Sequence, residues 1–326
     1  MRLSEFDYQL PPQLIAQTPI EPRDHSRLLV VHRDTGKLEH KQFFHITDYL
    51  KSGDVLVINT SKVIKARLHA TKPTGGKVEI FLLQQKDDFT WECLIKGKTA
   101  LNSLFLIHHS TTATVQEKHP DSTYLVKFNK TNITQYGEVP LPPYIKTKQS
   151  LERYQTVYAD QSGSVAAPTA GLHFTEALLD KLKKHGVIIV PVILHVGLGT
   201  FTSVKTDDIT QHTMHAEYAV LPEATAQAMA AAKKTGHKII AVGTTSGRTL
   251  EAFQGQANAG WVNIYIYPGY KFNTVDSLIT NFHLPKTTLL MLVSALAGKP
   301  LIDRAYAEAI KEHYRFFSFG DAMLID

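Results

Sequence analysis

KVEIFLLQQKDDFTWECLIKG, Lys77 to Gly97, holds two strand-length runs of aliphatic, β-branched and aromatic residues on either side of a polar break. Neither run has helical spacing, and the break is too short to hide another element. The same texture continues through SLFLIHHS, TATVQEKH and STYLVKF until the rigid GEVPLPPYI. Five or more short strands uninterrupted by a helix predict a small barrel or sandwich. We therefore read residues 61–150 as an inserted all-β domain.

On either side of this insert the pattern is different. RLLVVHRDTGKLEHKQF reads as a hairpin turning at Asp34–Gly36, FFHITDYL as a short helix, and Val55 to Ile58 as an apolar strand with a polar end. After residue 150 helices and strands alternate. Thr175 caps EALLDKLKKHG, whose Leu178, Leu179 and Leu182 share a face, and Gly186 ends it. VIIVPVILHV reads as a buried strand, PEATAQAMAAAKKTG as a helix, KIIAVG as a strand, and TLLMLVSALAG and DRAYAEAIKEHY as further helices. The fold class expected is α/β: a large mixed-sheet domain of residues 1–60 plus 151–326, carrying the small barrel.

With 326 residues, 43% hydrophobic and 20% charged, the chain is long enough for about two domains of roughly 150 residues and has the balance of a globular protein. No run reaches the ~20 apolar residues of a membrane span, and the start lacks a secretory segment, so a cytoplasmic location is expected. Cys93 is the single cysteine, which excludes an internal disulfide and a cysteine-built metal site. A net charge of +5 favours an anionic partner only weakly.

Three small-residue loops fall beyond strand ends, where α/β sheets gather ligands. SVAAPTAGLHFT, Ser164 to Thr175, has no acid, lysine or arginine, and His173 is its one titratable group. HVGLGTF carries Gly197 and Gly199 but lacks the third glycine of a dinucleotide fingerprint. GTTSGR, Gly243 to Arg248, offers backbone amides and a guanidinium to a carboxylate or phosphate, yet lacks the Lys-Ser/Thr ending of a P-loop. In HTMHAEY a strand would put His215 and Glu217 on one face as an acid/base pair, with His212 turned away, a poor metal geometry. His283 in NFHLPKTT either caps structure or faces a pocket. YRFFSFGDAMLI reads as a core strand with an Arg315–Asp321 ion pair.

Taken in order, FDYQLPPQLIAQTPIEPRDHSRLLV, YGEVPLPPYI, RYQTVYADQSGSVAAPTAGLHFT, LHVGLGTF, AVGTTSGRTLE, YPGYKF, TNFHLPK and YRFFSFGDAMLI resemble the S-adenosylmethionine:tRNA ribosyltransferase-isomerase family from near residue 6 to the last residue. The resemblance implies an α/β domain with an inserted barrel. It implies transfer and isomerisation of the ribosyl group of S-adenosylmethionine onto 7-aminomethyl-7-deazaguanine at the tRNA wobble position, giving epoxyqueuosine-tRNA, adenine and methionine. It further implies a monomer, no metal, and no cofactor beyond the ribosyl-donating substrate. Thr60, Thr147, Gly247, Thr287 and Phe319 depart from the family pattern; Thr60 and Thr147 lie near a domain junction. A methyltransferase using the same substrate and a noncatalytic RNA-binding module are the rival readings.

Under this resemblance His173, His215, Glu217 and His283 contain the acid/base groups. Ala167, Pro168, Thr169, Gly171, Gly197, Gly199, Thr200, Gly243, Thr244, Thr245 and Arg248 hold S-adenosylmethionine, with Arg248 and the GTTSG amides on its methionine carboxylate or ribose. Arg23, Arg27, Lys62, Arg67 and Arg153 are expected on tRNA phosphates. Tyr or Phe of YPGYKF or YRFF is expected to stack on the extruded base.

Overall fold

The structure is a computed structural model in which residues 1–197 and 204–326 are described. The candidates Gly199 and Thr200 lie outside the described residues. Arg27–Val31 (β1) and Leu38–Gln42 (β2) form the expected antiparallel hairpin, its turn closed by Gly36 at φ 69°. FFHITD winds into a 3-10 turn that buries Phe43 and Ile46. Val55–Asn59 (β3) follows, buried along its whole length. At its polar end the Asn59 side chain donates to the Leu194 carbonyl at 3.0 Å and accepts from the Leu194 amide at 3.1 Å.

After the short Ser61–Val63 (β4) the chain enters the insert. Arg67–Thr71 (β5), Lys77–Gln85 (β6), Thr90–Lys96 (β7), Leu104–His108 (β8), Thr111–Lys118 (β9) and Tyr124–Phe128 (β10) close into a barrel in the order β10-β7-β6-β5-β8-β9. Alternate side chains fill it, among them Leu68, Ile80, Leu82, Phe105, Val115 and Val126. Cys93 lies in this core, where burial pushes its thiol well above the ordinary value. On leaving the barrel, Gln161–Ser164 (β11) runs parallel to β4, and the Thr60 carbonyl accepts from the amides of Asp160 and Gln161.

Glu176–Lys184 (α1) begins with Thr175 Oγ1 accepting from the Leu178 amide at 3.1 Å and packs Leu178, Leu179 and Leu182 inward. Next come Ile188–Leu194 (β12), Glu217–Leu221 (β13), Glu223–Lys234 (α2), Ile239–Val242 (β14), Gly243–Ala252 (α3), Asn258–Val262 (β15), Ser277–Asn281 (β16), Thr288–Ala297 (α4), Lys299–Lys311 (α5) and Ala322–Ile325 (β17). Nine strands make one sheet, β15-β13-β12-β3-β14-β16-β17-β1-β2. Strands β12, β3, β14 and β16 are mutually parallel, and the remaining neighbours are antiparallel except β17 and β1. Both faces are covered: Val55 and Val57 join one apolar core, Leu56 and Ile58 the other.

Two expectations change here. The strand β12 is buried only towards its end, at Val192 and Leu194; Ile188 is 42% exposed. GTTSGR, expected as a loop before a helix, is itself the first turns of α3. Gly243 takes φ 85°, a conformation suited to glycine, to turn straight from β14 into the helix. The hydroxyls that weaken helix propensity are absorbed: Ser246 Oγ donates to the Val242 carbonyl at 2.8 Å and Thr249 Oγ1 to the Thr245 carbonyl at 3.0 Å. Among the described residues no helix is long and apolar enough to cross a membrane.

Candidate active site

An open cleft lies beyond the carboxyl ends of the parallel strands, where α/β sheets gather ligands. Ala167–Ala170 form one wall, Gly243–Thr245 at the start of α3 a second, and Thr280–Leu284 beyond β16 a third. Thr287 and Leu289 at the start of α4, Val196 after β12, Tyr144, Phe317 and Ser318 complete it. Among the described residues the lining contains no acid, lysine or arginine, and His283 is its one imidazole.

His283 is 8% exposed. Its Nε2 lies 2.9 Å from Thr280 Oγ1, its amide donates to the Tyr306 hydroxyl at 2.9 Å, and its carbonyl accepts from the Tyr8 hydroxyl. Nδ1 has no protein partner among the described residues. Burial lowers its pKa to about 3, so the ring is neutral at neutral pH. Thr287 caps α4 through its Oγ1, which accepts from the Leu290 amide at 3.4 Å and holds the NFHLPK turn against the cavity.

At α3 the Thr244 and Thr245 segments line the cavity, and Val242, at the N-cap, supplies no side-chain bond to the first amides. Thr245 Oγ1 is buried without a partner among the described residues. Arg248 lies one turn further on, 4% exposed; it pairs with Glu217 through Nη2, while its Nε and Nη1 have no partner among the described residues. Glu217 Oε1 also accepts from the Gly197 amide at 2.9 Å.

The C-terminal aromatic turn supplies the last wall. Phe317 adopts φ 69°, a strained value for a bulky residue, and its carbonyl accepts from the Gly320 amide at 2.9 Å. This presents Phe317 beside Tyr144, with ring centroids 5.0 Å apart, and sets Ser318 Oγ 2.7 Å from the Tyr144 hydroxyl. Among the described residues Asp321 and the Arg315 guanidinium form no direct ion pair, although the Arg315 charge still acts on the carboxyl. The Asp321 carboxylate accepts the amides of Arg27 at 2.9 Å and Arg315 at 2.7 Å, while the guanidinium binds the Thr18 and Phe319 carbonyls. Among the expected stacking aromatics, Phe317 of YRFF reaches the cavity; Tyr270 of YPGYKF instead donates to Glu251 at 3.0 Å.

The four acid/base candidates do not converge. His173 is buried one layer behind the wall, bonded to Ser26 and Asn281. His215 is exposed and precedes β13, which begins only at Glu217, so the two never share a strand face. Glu217 turns inward to Arg248. Of the ligand-holding candidates, Ala167, Pro168, Thr169, Gly243, Thr244 and Thr245 line the cavity. Gly171 does not line it: a Cβ there would overlap the Tyr158 hydroxyl, a packing reason for glycine. Residues missed from sequence are Tyr144, Asn281, Thr280 and Ser318; Asn281 and Thr280 stood inside TNFHLPK, where the histidine drew attention.

The basic candidates separate likewise. Arg23 donates to the carbonyls of Gln155 at 2.6 Å and Glu152 at 2.9 Å, and burial, then Arg153, lowers its pKa. Arg153 pairs with Glu21. Gln155 exchanges bonds of 3.0 and 2.8 Å with the Val63 backbone, which brings exposed Lys62 to the same junction. Arg27 covers the Tyr314 ring at 3.8 Å, and Arg67 sits in β5 beside Glu79 at 3.7 Å. Thr147 Oγ1 donates to the Gln17 carbonyl at 2.6 Å at the return from the insert. No group of three or more potential metal ligands occurs among the described residues.

A family model described as queuosine biosynthesis protein matches residues 3–325. The S-adenosylmethionine:tRNA ribosyltransferase-isomerases of Thermotoga maritima and Moorella thermoacetica are each 50% identical over 100% of both chains. The crystal structure of S-adenosylmethionine tRNA ribosyltransferase from Thermotoga maritima superposes with a TM-score of 0.58 and 40% identity in that superposition, covering 99% of this chain and 100% of that one.

Proposed function

The chain belongs to the queuosine biosynthesis protein family, and from that membership we propose that it is an S-adenosylmethionine:tRNA ribosyltransferase-isomerase acting on tRNA that carries 7-aminomethyl-7-deazaguanine at the wobble position. The observation that carries the reading is the cavity wall itself: rich in hydroxyls and backbone, free of fixed charge, and holding one neutral imidazole. A sulfonium with a neutral adenosine body calls for shape and acceptors there. A lysine or arginine would repel the cation, and an unpaired carboxylate would hold it too strongly.

In the reaction, a base takes the proton from the carbon beside the sulfonium, adenine departs, the neutral tRNA amine attacks, and methionine leaves. His283, the imidazole on the cavity wall, with no protein partner at Nδ1 among the described residues, is the candidate base, and acid/base help of this kind is worth about 10²–10⁴-fold. Arg248, off the cavity lining one turn beyond Thr245 and with Nε and Nη1 unpartnered among the described residues, and the first amides of α3, which no side chain caps, suit the methionine carboxylate. Phe317 and Tyr144 offer a face to a base. Arg23, Arg153 and Lys62 at the domain junction suit tRNA phosphates, the enzyme acting as a cytoplasmic monomer.

The deciding experiment incubates the protein with S-adenosylmethionine and tRNA bearing the deazaguanine. Adenine plus methionine is expected. S-adenosylhomocysteine would establish the methyltransferase alternative, and no product at all would leave an RNA-binding module.

A further inference from the structure

From a chain of buried hydrogen bonds behind the cavity, we infer that His173 is a positioning residue, which fixes the Asn281 amide and through it the polarity of the Thr169 hydroxyl that faces the substrate. The inference rests on the cavity being the S-adenosylmethionine site. Its parts are Ser26, in the segment leading to β1; His173, in the 3-10 turn Thr169–His173; Asn281, the last residue of β16; and Thr169, the first residue of that turn. Ser26 Oγ lies 2.7 Å from His173 Nδ1, His173 Nε2 lies 3.0 Å from Asn281 Nδ2, and Asn281 Oδ1 lies 3.0 Å from Thr169 Oγ1. Only Thr169 and Asn281 touch the cavity.

The directions follow from what each atom can do. The Asn281 carbonyl oxygen only accepts, so the Thr169 hydroxyl spends its proton on it and turns its lone pairs to the cavity. The Asn281 amide nitrogen only donates, so His173 Nε2 is the bare nitrogen and Nδ1–H donates to Ser26. Both ring nitrogens are thereby used, and neither is left to exchange protons with a substrate. The ring is 3% exposed and stacks on Phe43 with centroids 5.0 Å apart, so packing and two hydrogen bonds together hold its orientation. Burial, aided by Arg315, lowers its pKa to about 3, so the neutral tautomer persists across the working range. Thr169 is then an acceptor for an N–H or O–H of the bound substrate, a polarity that the Thr169 residue alone would leave free to rotate away.

Two measurements test this. In protein labelled with ¹⁵N-histidine and no ligand, the His173 ring is expected to show the Nδ1–H tautomer unchanged from pH 5.5 to 8.5; an Nε2–H or protonated ring would overturn the assignment. In parallel, KM for S-adenosylmethionine and the pH profile of kcat are measured for His173→Ala, His173→Gln, Asn281→Ala and the double alanine variant. His173→Ala and Asn281→Ala are each expected to raise KM about tenfold, the double no further, with the limbs of the kcat profile unmoved. His173→Gln, which can still accept from Asn281 but cannot act as a base, is expected to recover to within about threefold. A His173→Gln enzyme as inactive as His173→Ala, or a lost limb of the pH profile, would make His173 a proton-transfer group and overturn the inference. Should the wild type fail to consume S-adenosylmethionine, the proposed function falls, and the tautomer measurement still decides the wiring.

Discussion

Acidifying the protein from pH 7.5 to pH 5 is predicted to remove about 4 kcal/mol of folding stability through two imidazoles. His173 and His283 are 3% and 8% exposed, and both carry pKa values lowered to about 3 from 6.5, by burial in each case and with Arg315 adding to the effect at His173. Between those two values the native state binds no proton at either ring, whereas the unfolded chain binds one at each. Stability is therefore complete above pH 6.5 and is lost as pH falls, by about 1.4 kcal/mol per unit per histidine, until it levels off near pH 3. At pH 5 the unfolded rings lie about 1.5 units below their pKa, which amounts to about 2 kcal/mol each. Urea unfolding at pH 7.5, 6.0 and 5.0 reads this directly when wild type is compared with His173→Gln and His283→Gln. Each variant should lose about half of the drop assigned to the pair, and since carboxylates titrate alike in all three proteins, the difference isolates the rings. Identical pH dependence in wild type and both variants would refute the reasoning.

Glu217→Gln should cost about 3–5 kcal/mol by leaving the buried Arg248 guanidinium uncompensated, while Glu217→Gln/Arg248→Met should recover most of that in urea unfolding. Gly171→Ala, whose new Cβ would meet the Tyr158 hydroxyl and lie 2.8 Å from Thr156 Cγ2, should lower stability by about 1–3 kcal/mol, and less when combined with Tyr158→Phe. Cys93, buried in the barrel with its thiol pushed up, should resist a thiol reagent in the native protein and react at once in urea; rapid native labelling would contradict the barrel core.

The barrel was legible because five of its six strands are short β-rich runs separated by turn residues with no helical spacing between them. RLHAT, the strand β5 that joins β6 to β8, passed unmarked between Ile64-Lys65 and Lys72-Pro73, since its Arg, His and Thr face outward and dilute the signal. GTTSGR was misread for a physical reason of the same kind: Gly, Thr and Ser have low helix propensity, and only burial of the whole segment against the sheet overrides it. The pairing of His215 with Glu217 failed because period-two reasoning ran the strand two residues too early. Two of the three small-residue segments, SVAAPTAGLHFT and GTTSGR, do supply cavity walls, because small residues leave room beside the backbone. Depth was not legible. Nothing in SVAAPTAGLHFT distinguishes Thr169, on the wall, from His173, one layer behind, because that distinction is made by Ser26 and Asn281, which are remote in sequence.

The meeting of the outgoing and returning chain at Thr60 bears on how the protein is made. Strand β3 is finished just before the barrel, yet its neighbours β12 and β14 are translated only after it. A ribosome therefore delivers the barrel, whose six strands are contiguous in sequence, as the first unit able to close on itself. Meanwhile the apolar VLVIN segment waits without a partner on either edge. The Thr60 carbonyl, which accepts from the amides of Asp160 and Gln161, marks where the chain that left the sheet for the barrel returns beside its point of departure, so the two stretches of the α/β domain meet again across the insert.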